Sequence, residues 1–373
     1  MSFGVIVNER TAPAAQGVPV DTSQVFVTGP VTTPAGSEPV LCSSVADYEA
    51  AFGQRTGGNI AMWDWLDFAF REGVTQAYVT GYEATGDFVT GLDSFDSRLG
   101  PGQVAVVGET AAPTVYEAIQ THVDNNNRIG LLDTNHGDTL AMILTHGDAA
   151  MALPNMENVG VFGSWATGDG PPGVVASGGR YVPASAAIAG LCSRVDQTGN
   201  PNRAAGGRDF PLQYVTGFEL DPTDVDRASC FQHGVNMFAD RYNVLENYGF
   251  VTPIAESPNT PFWQLNCSRT RMWLKAQALA IGENYYMRTI DGAGILAGEL
   301  GSELEAMCAQ LYPGALFGAT KEEAYNVNVS QSINTTATAA QGVLHAVVQA
   351  KLSQYAKAVV IDLVSVPVQG VVS

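Results

Sequence analysis

The chain has 373 residues, with 18 Lys and Arg against 37 Asp and Glu, a net charge of −19 at pH 7. That balance argues against nucleic acid or an anionic membrane as a direct partner, since both are held through Lys and Arg. A hydrophobic content of 46% and a mean hydropathy of +0.04 mark a folded chain rather than a disordered one, and no apolar run approaches the ~20 residues that span a bilayer. The length predicts two or three domains. Charged residues make up 15%, against roughly 25% in ordinary soluble domains, which suits a surface hidden against copies of itself. Self-assembly of so acidic a chain must overcome repulsion and should strengthen with added salt. The five cysteines (Cys42, Cys192, Cys230, Cys267, Cys308) are scattered and never form a CxxC pair. They read as buried free thiols in a reducing compartment. Met1-Ser2-Phe3-Gly4 lacks a basic region followed by an apolar stretch, so folding in a cytoplasm is the expected default.

In chain order, Phe3, Val5 and Val7 alternate with Gly4 and Ile6 as a short strand, followed by an irregular, proline-bearing stretch from Asn8 to Val20. Gln24–Gly29 and Pro39–Cys42 read as strands. Ser44 is placed to cap a helix holding Val45, Tyr48 and Phe52 that closes at Gly53. Asn59–Arg71 is an aromatic-rich helix ended at Gly73, and Ala77–Thr80 is again a strand. Strand, helix and strand then recur over Val104–Val107, Thr114–Val123 and Ile129–Asp133, with Val159–Phe162 after them. This alternation is the mark of an α/β layer. Gly168–Gly179 reads as a loop, and Val182-Pro183 opens a helix through Ala186, Ile188 and Leu191. The irregular stretch Gly199–Gly207 marks a domain boundary near residue 205. Helices are predicted over Thr270–Ile281 and Gly294–Tyr312. In the second, Leu296, Leu300, Leu304, Cys308 and Leu311 share one face, while Glu299, Glu303 and Glu305 lie off it. Leu344–Leu352 alternates as a strand. Val359, Val360, Ile361, Leu363 and Val364 form a last β-branched strand around Asp362, after a break at Ser353-Gln354.

Chemistry is sparse. No GK dipeptide, HExxH, GxSxG or CxxC occurs. Asp291-Gly292-Ala293-Gly294 has some likeness to a dinucleotide loop, but no clear strand precedes it. His136-Gly137-Asp138 and His146-Gly147-Asp148 repeat a tripeptide that reads as turn chemistry, with no third metal ligand in view. His122, His233 and His345 read as structural. No cofactor, metal or catalytic residue is assigned, and the chain is read as a non-enzyme. The two terminal strands are the distinctive feature. An unpaired strand must find a partner for its N–H and C=O groups, within its own domain or on a neighbour. A linker of about 12 residues reaches roughly 40 Å at ~3.3 Å per residue, far enough for either.

Several fragments, in order along the chain, resemble the sheath proteins of contractile phage tails and related contractile injection systems. They are Gly4–Val7 with the linker and Val25–Gly29; Pro39–Gly53; Arg71–Gly73 with Tyr78-Val79; Tyr181–Asp196 continuing to Asn200-Pro201; Gly234-Val235-Asn236; Gly314–Gly318; Glu322–Val327; and Asn334. Two stretches depart from that pattern, Asn247–Thr252 and the glycine-bearing Gly292–Gly301.

The resemblance implies a two-domain α/β subunit without catalysis. Residues 1–20 would be an N-terminal arm, 21–205 an outer α/β domain, 206–352 an inner, tube-facing domain, and 353–373 a C-terminal arm. It further implies stacked hexameric rings around a tail tube, linked by arms that add strands to neighbouring sheets. The sheath would contract from a metastable extended state. The inter-subunit strands would be Gly4, Val5, Ile6, Val7 and Val359, Val360, Ile361, Leu363, Val364, with hinges at Asn8–Val20 and Ser353–Lys357. The Glu299, Glu303 and Glu305 helix is the candidate tube-facing element. The implied partners are the chain itself, a tail tube protein, and baseplate and tail terminator proteins, in a virion assembled in a host cytoplasm. The rival readings are another self-assembling tail component (tube or baseplate) and, further off, an α/β enzyme.

Overall fold

A computed structural model describes residues 20–32, 38–83, 87–169 and 180–360. In chain order the strands are β1 (Val25–Pro30), β2 (Val40–Cys42), β3 (Ala77–Tyr82), β4 (Gln103–Val106), β5 (Ile129–Asp133), β6 (Val159–Gly163), β7 (Ala166–Gly168), β8 (Arg180–Val182), β9 (Val215–Phe218), β10 (Val235–Arg241), β11 (Val244–Asn247), β12 (Tyr325–Asn328) and β13 (Val347–Ala350). The helices are α1 (Val45–Phe52), α2 (Ile60–Glu72), α3 (Phe88–Asp93), α4 (Pro113–Asn126), α5 (Leu140–Met151), α6 (Ala184–Asp196), α7 (Asp224–Gln232), α8 (Leu265–Glu283), α9 (Ile295–Leu311), α10 (Lys321–Ala324) and α11 (Thr336–Ala340).

One eight-stranded sheet, ordered β11-β10-β6-β5-β4-β1-β3-β2, organises the body. The run from β10 to β3 is parallel, with β11 and β2 antiparallel at the two edges. Parallel strands buried on both faces need continuous apolar sequence, and Val25, Phe26 and Val27 supply it. Val25 and Val27 enter one core with Tyr48, Trp65 and Ile188. Phe26 points the other way, into a core with Leu92, Tyr116, Ile119 and Ile143. Alternation along one strand thus feeds two helical layers, α2 and α6 on one face and α3, α4, α5 and α7 on the other.

Local signals match the expected element ends. Ser44 Oγ accepts the Asp47 N–H at 3.3 Å, and Gly53 closes α1 with φ of 88°. Within the Tyr181–Asp196 stretch, Ala184–Asp196 forms a buried helix of the body, with every residue from Ala184 to Ser193 inaccessible. Ser185 Oγ accepts Trp65 Nε1–H at 2.8 Å, and the Ser185 N–H donates to Asp133 Oδ1 at 2.7 Å. Asp196 pairs with Arg269 at 2.6 Å, their side chains 5% and 0% exposed.

One local reading, the turn at His146–Asp148, is corrected. His136–Asp138 is a turn, with Gly137 at φ of 82°. His146–Asp148 lies inside α5, where a Cβ on Gly147 would meet the His233 carbonyl oxygen at 2.2 Å. That glycine serves a close helix–strand approach rather than a turn. Asp291-Gly292-Ala293-Gly294 is the entry to α9. Asp291 Oδ1 accepts the Ala293 and Ile295 N–H groups and Oδ2 accepts that of Leu296, all at 2.8–2.9 Å. The acidic residue satisfies helix-terminal donors.

The strands at Val235–Asn247, beyond the expected boundary near residue 205, join the same sheet as β1–β6. A separate apolar cluster runs from Ile281 to Leu352, built on α9 and the β12–β13 pair.

Candidate assembly site

The β12–β13 ribbon stands apart from both other sheets. Its register pairs Tyr325 with Ala350, Asn326 with Gln349, Val327 with Val348, and Asn328 with Val347. Tyr325, Val327, Val348 and Ala350 pack on the α9 cluster, while Asn326 and Gln349 face outward. A two-stranded ribbon is marginal alone, and α9 supplies its floor. A Cβ on Gly301 would lie 2.8 Å from Val329 Cγ2, so glycine there lets the end of β12 settle onto the helix. Asn334 then fixes the return. Its Nδ2 donates to the Val329 and His345 carbonyls at 3.0 and 2.8 Å, and its Oδ1 accepts the His345 N–H at 2.7 Å.

Both edges of the ribbon are open among the described residues. The Lys351 N–H donates to the Ala324 carbonyl at 2.9 Å. Antiparallel alternation therefore turns Val347 and Gln349 toward β12, and the backbone groups of Val348 and Ala350 outward. On β12 the same count leaves Tyr325 and Val327 facing outward. The β13 edge presents two N–H and two C=O groups, and the β12 edge two C=O groups and the Val327 N–H, the Tyr325 N–H donating instead to the Lys321 carbonyl at the end of α10. Each is matched to one incoming extended segment. By contrast, the β11 edge of the large sheet is covered, the Leu212 N–H donating to the Leu245 carbonyl at 2.8 Å.

The expected arm residues Gly4, Val5, Ile6 and Val7 lie outside the described residues, as do Ile361, Leu363 and Val364. Val359 and Val360 are described, irregular, and 77% and 83% exposed. On α9, Leu296, Leu300, Leu304, Cys308 and Leu311 are buried as one face. Glu299 and Glu305 are exposed and Glu303 is partly covered. Glu299 pairs with Arg288 at 2.6 Å, and Glu303 lies against the Tyr285 hydroxyl, which burial first and that carboxylate second push up to about 12.

The expected hinge at Ser353–Lys357 is corrected. Gln264 reads the Tyr355 backbone in both directions, Oε1 accepting its N–H at 2.8 Å and Nε2 donating to its carbonyl at 3.1 Å. The Phe250 N–H donates to the Tyr355 hydroxyl at 3.2 Å, and Lys357 pairs with Glu256. The segment is clamped to the body, so any C-terminal hinge begins after Lys357. Its partners lie 91 to 105 positions away, beyond any local sequence signal. The Gly234-Val235-Asn236 fragment has a structural role of the same kind. Asn236 Nδ2 donates to the Val161 and Val251 carbonyls at 3.0 and 2.8 Å, and its Oδ1 accepts the Val251 N–H at 2.7 Å. It ties the departing stretch Asn247–Thr252 to the sheet.

His146 Nε2 lies 3.2 Å from Asp138 Oδ2, and His233 Nδ1 lies 2.6 Å from Asp148 Oδ1. Among the described residues no three His, Cys, Asp or Glu converge as a metal site, and no helix is long and apolar enough to cross a membrane.

No protein-family model matches the chain, and no curated protein matches its sequence. Solved structures do. A chain of the anti-feeding prophage baseplate, sixfold symmetrised, superposes with a TM-score of 0.74 at 18% identity, covering 98% of this chain and 99% of that one. A chain of the contracted anti-feeding prophage helical sheath gives 0.73 at 18% identity, over 97% and 98%. One from the contracted PVC sheath complex, an extracellular contractile injection system, gives 0.74 at 14% identity over 98% of both chains. The likeness spans nearly the whole length, body and ribbon together, and this chain has the fold of contractile injection system sheath proteins.

Proposed function

We propose that the chain is a structural, non-catalytic subunit of a contractile sheath. It polymerises as stacked six-membered rings around an inner tube and contracts from an extended state to drive that tube through a target envelope. The observation that carries this reading is the ribbon with two open edges in a chain of sheath fold. The chain also has two apolar terminal segments, Gly4–Val7 and Val359–Val364. Two donors and two acceptor edges fit a mesh in which each ribbon receives one arm from each of two neighbours. Backbone hydrogen bonds in a donated strand do not depend on how the bodies are oriented, so they can persist while the bodies slide.

The body formed around the large sheet is the outer part, with β10 and β11 belonging to it although they follow residue 205. The inner, tube-facing part lies within 206–352, centred on α9 and the ribbon. Glu299, Glu303 and Glu305 are the side chains offered to the tube. The partners are other copies, a tube protein, and baseplate and terminator proteins, in a phage tail or phage-like particle. A second reading, a position at the baseplate, is favoured by the likeness to a baseplate chain. Long cylinders from the purified chain distinguish the first reading from the second. The direct test deletes residues 1–15: the product should be a folded monomer, and sheath-like cylinders from it under electron microscopy would refute the arm mechanism.

A further inference from the structure

Behind the clamped segment lies an apolar groove of about 720 Å³, walled by Phe231, Tyr248, Phe250, Ile254, Trp263 and Tyr355. Its rim carries the Glu256–Lys357 ion pair. We propose that in a lone subunit this groove holds the chain's own C-terminal segment beyond Val360, sheltering the donor strand until a neighbour takes it.

The course of the chain favours this occupant. Residues 355–358 themselves form one wall, so the chain is delivered to the groove before its described part ends at Val360. Val359 and Val360 leave that wall 77% and 83% exposed. The thirteen residues that follow contain a single charge, Asp362, and place Ile361, Leu363, Val364, Val366 and Val368 within eight positions. An extended residue occupies about 160 Å³, from a ~3.3 Å rise, ~4.8 Å lateral spacing and ~10 Å face spacing. The groove therefore holds about four or five residues, the length of the Ile361–Val364 run. A segment tethered within a few residues of its site competes at millimolar effective concentration.

The wall's backbone is already engaged, Val251 by Asn236 and the Tyr248 N–H by the Met237 carbonyl at 2.8 Å. Groove binding therefore rests on apolar side chains, whereas the ribbon offers backbone groups. Transfer from one to the other exchanges side-chain burial for strand pairing. An apolar β-branched tail left free on a soluble subunit is an aggregation hazard, and storage in cis removes it.

The test compares the full chain with its Leu363→Asp/Val364→Asp variant by hydrogen exchange, below the concentration at which either assembles. A fluorescent peptide of residues 359–373 is titrated in parallel. Occupancy in cis predicts exchange at 224–232 and 247–256 about tenfold faster in the variant, independent of protein concentration. It also predicts that the peptide binds the variant and a 1–358 chain but not the full chain. Equal exchange in both proteins overturns the proposal, as does equal peptide binding to all three. Protection that rises with concentration would place a second copy's tail in the groove and equally overturn it. Docking in cis needs neither ring nor tube, so failure to form cylinders leaves this result standing.

Discussion

Val348→Pro isolates one open edge of the ribbon. The Val348 N–H faces away from β12, so proline removes a donor from the outer edge while the β12–β13 ladder keeps its bonds. A docked strand gains four backbone hydrogen bonds along that edge, about 1 kcal/mol each, or about 4 kcal/mol in all. Proline deletes one of these and strands the incoming carbonyl beside a ring, a loss of about 3 kcal/mol. At 1.4 kcal/mol per tenfold, the critical concentration for assembly should rise about a hundredfold. Sedimentation of a dilution series measures it, with Val348→Thr, which keeps the N–H, as the control. Val327→Pro should act alike on the β12 edge. Refutation would be a Val348→Pro chain that melts like wild type and assembles at the wild-type concentration.

Asn236→Ala should cost about 3 kcal/mol in chemical denaturation, because it leaves three backbone groups without their side-chain partner at a 1% exposed site. His122 is buried and accepts from Arg128 at 2.8 Å through Nε2; burial first, and Arg128 second, lower its pKa to about 3. Its folded pKa lies below the unfolded value of about 6.5, so its contribution is complete above that pH. That contribution falls by up to about 1.4 kcal/mol per unit as pH drops toward 3, and His122→Gln should flatten the slope measured by urea denaturation. All five cysteines are buried and free, and burial raises the Cys42 and Cys267 thiols to about 12. None should react with a thiol reagent at pH 8 until denaturant is added; rapid labelling of the native chain would contradict this packing.

Local signals in the sequence carried the body a long way. Ser44, Gly53 and Gly73 punctuate α1 and α2 where capping chemistry requires, and the five-residue face of α9 follows helical spacing alone. The strands at 235–247 were not legible as sheet members, because β10 pairs with β6 some seventy residues earlier and its neighbourhood shows no period. β12 was hidden for another reason: its Tyr-Asn-Val-Asn alternation runs for only 4 residues, too short to stand out as a strand pattern. β13 falls within the expected 344–352 strand, shortened at its start where Asn334 holds His345. The clamp on Tyr355 depends on Gln264, a polar residue that no apolar pattern would single out. The acceptor site is a property of topology, since two unpaired edges exist only once every other strand has found its place.

Cryo-electron microscopy of the purified full chain under high salt tests the central claim most directly. The account predicts striated hollow cylinders in which each β12–β13 ribbon is flanked by one extended segment on either side, traced to the termini of neighbouring subunits. Dispersed compact particles, or cylinders whose ribbons remain two-stranded, would contradict it.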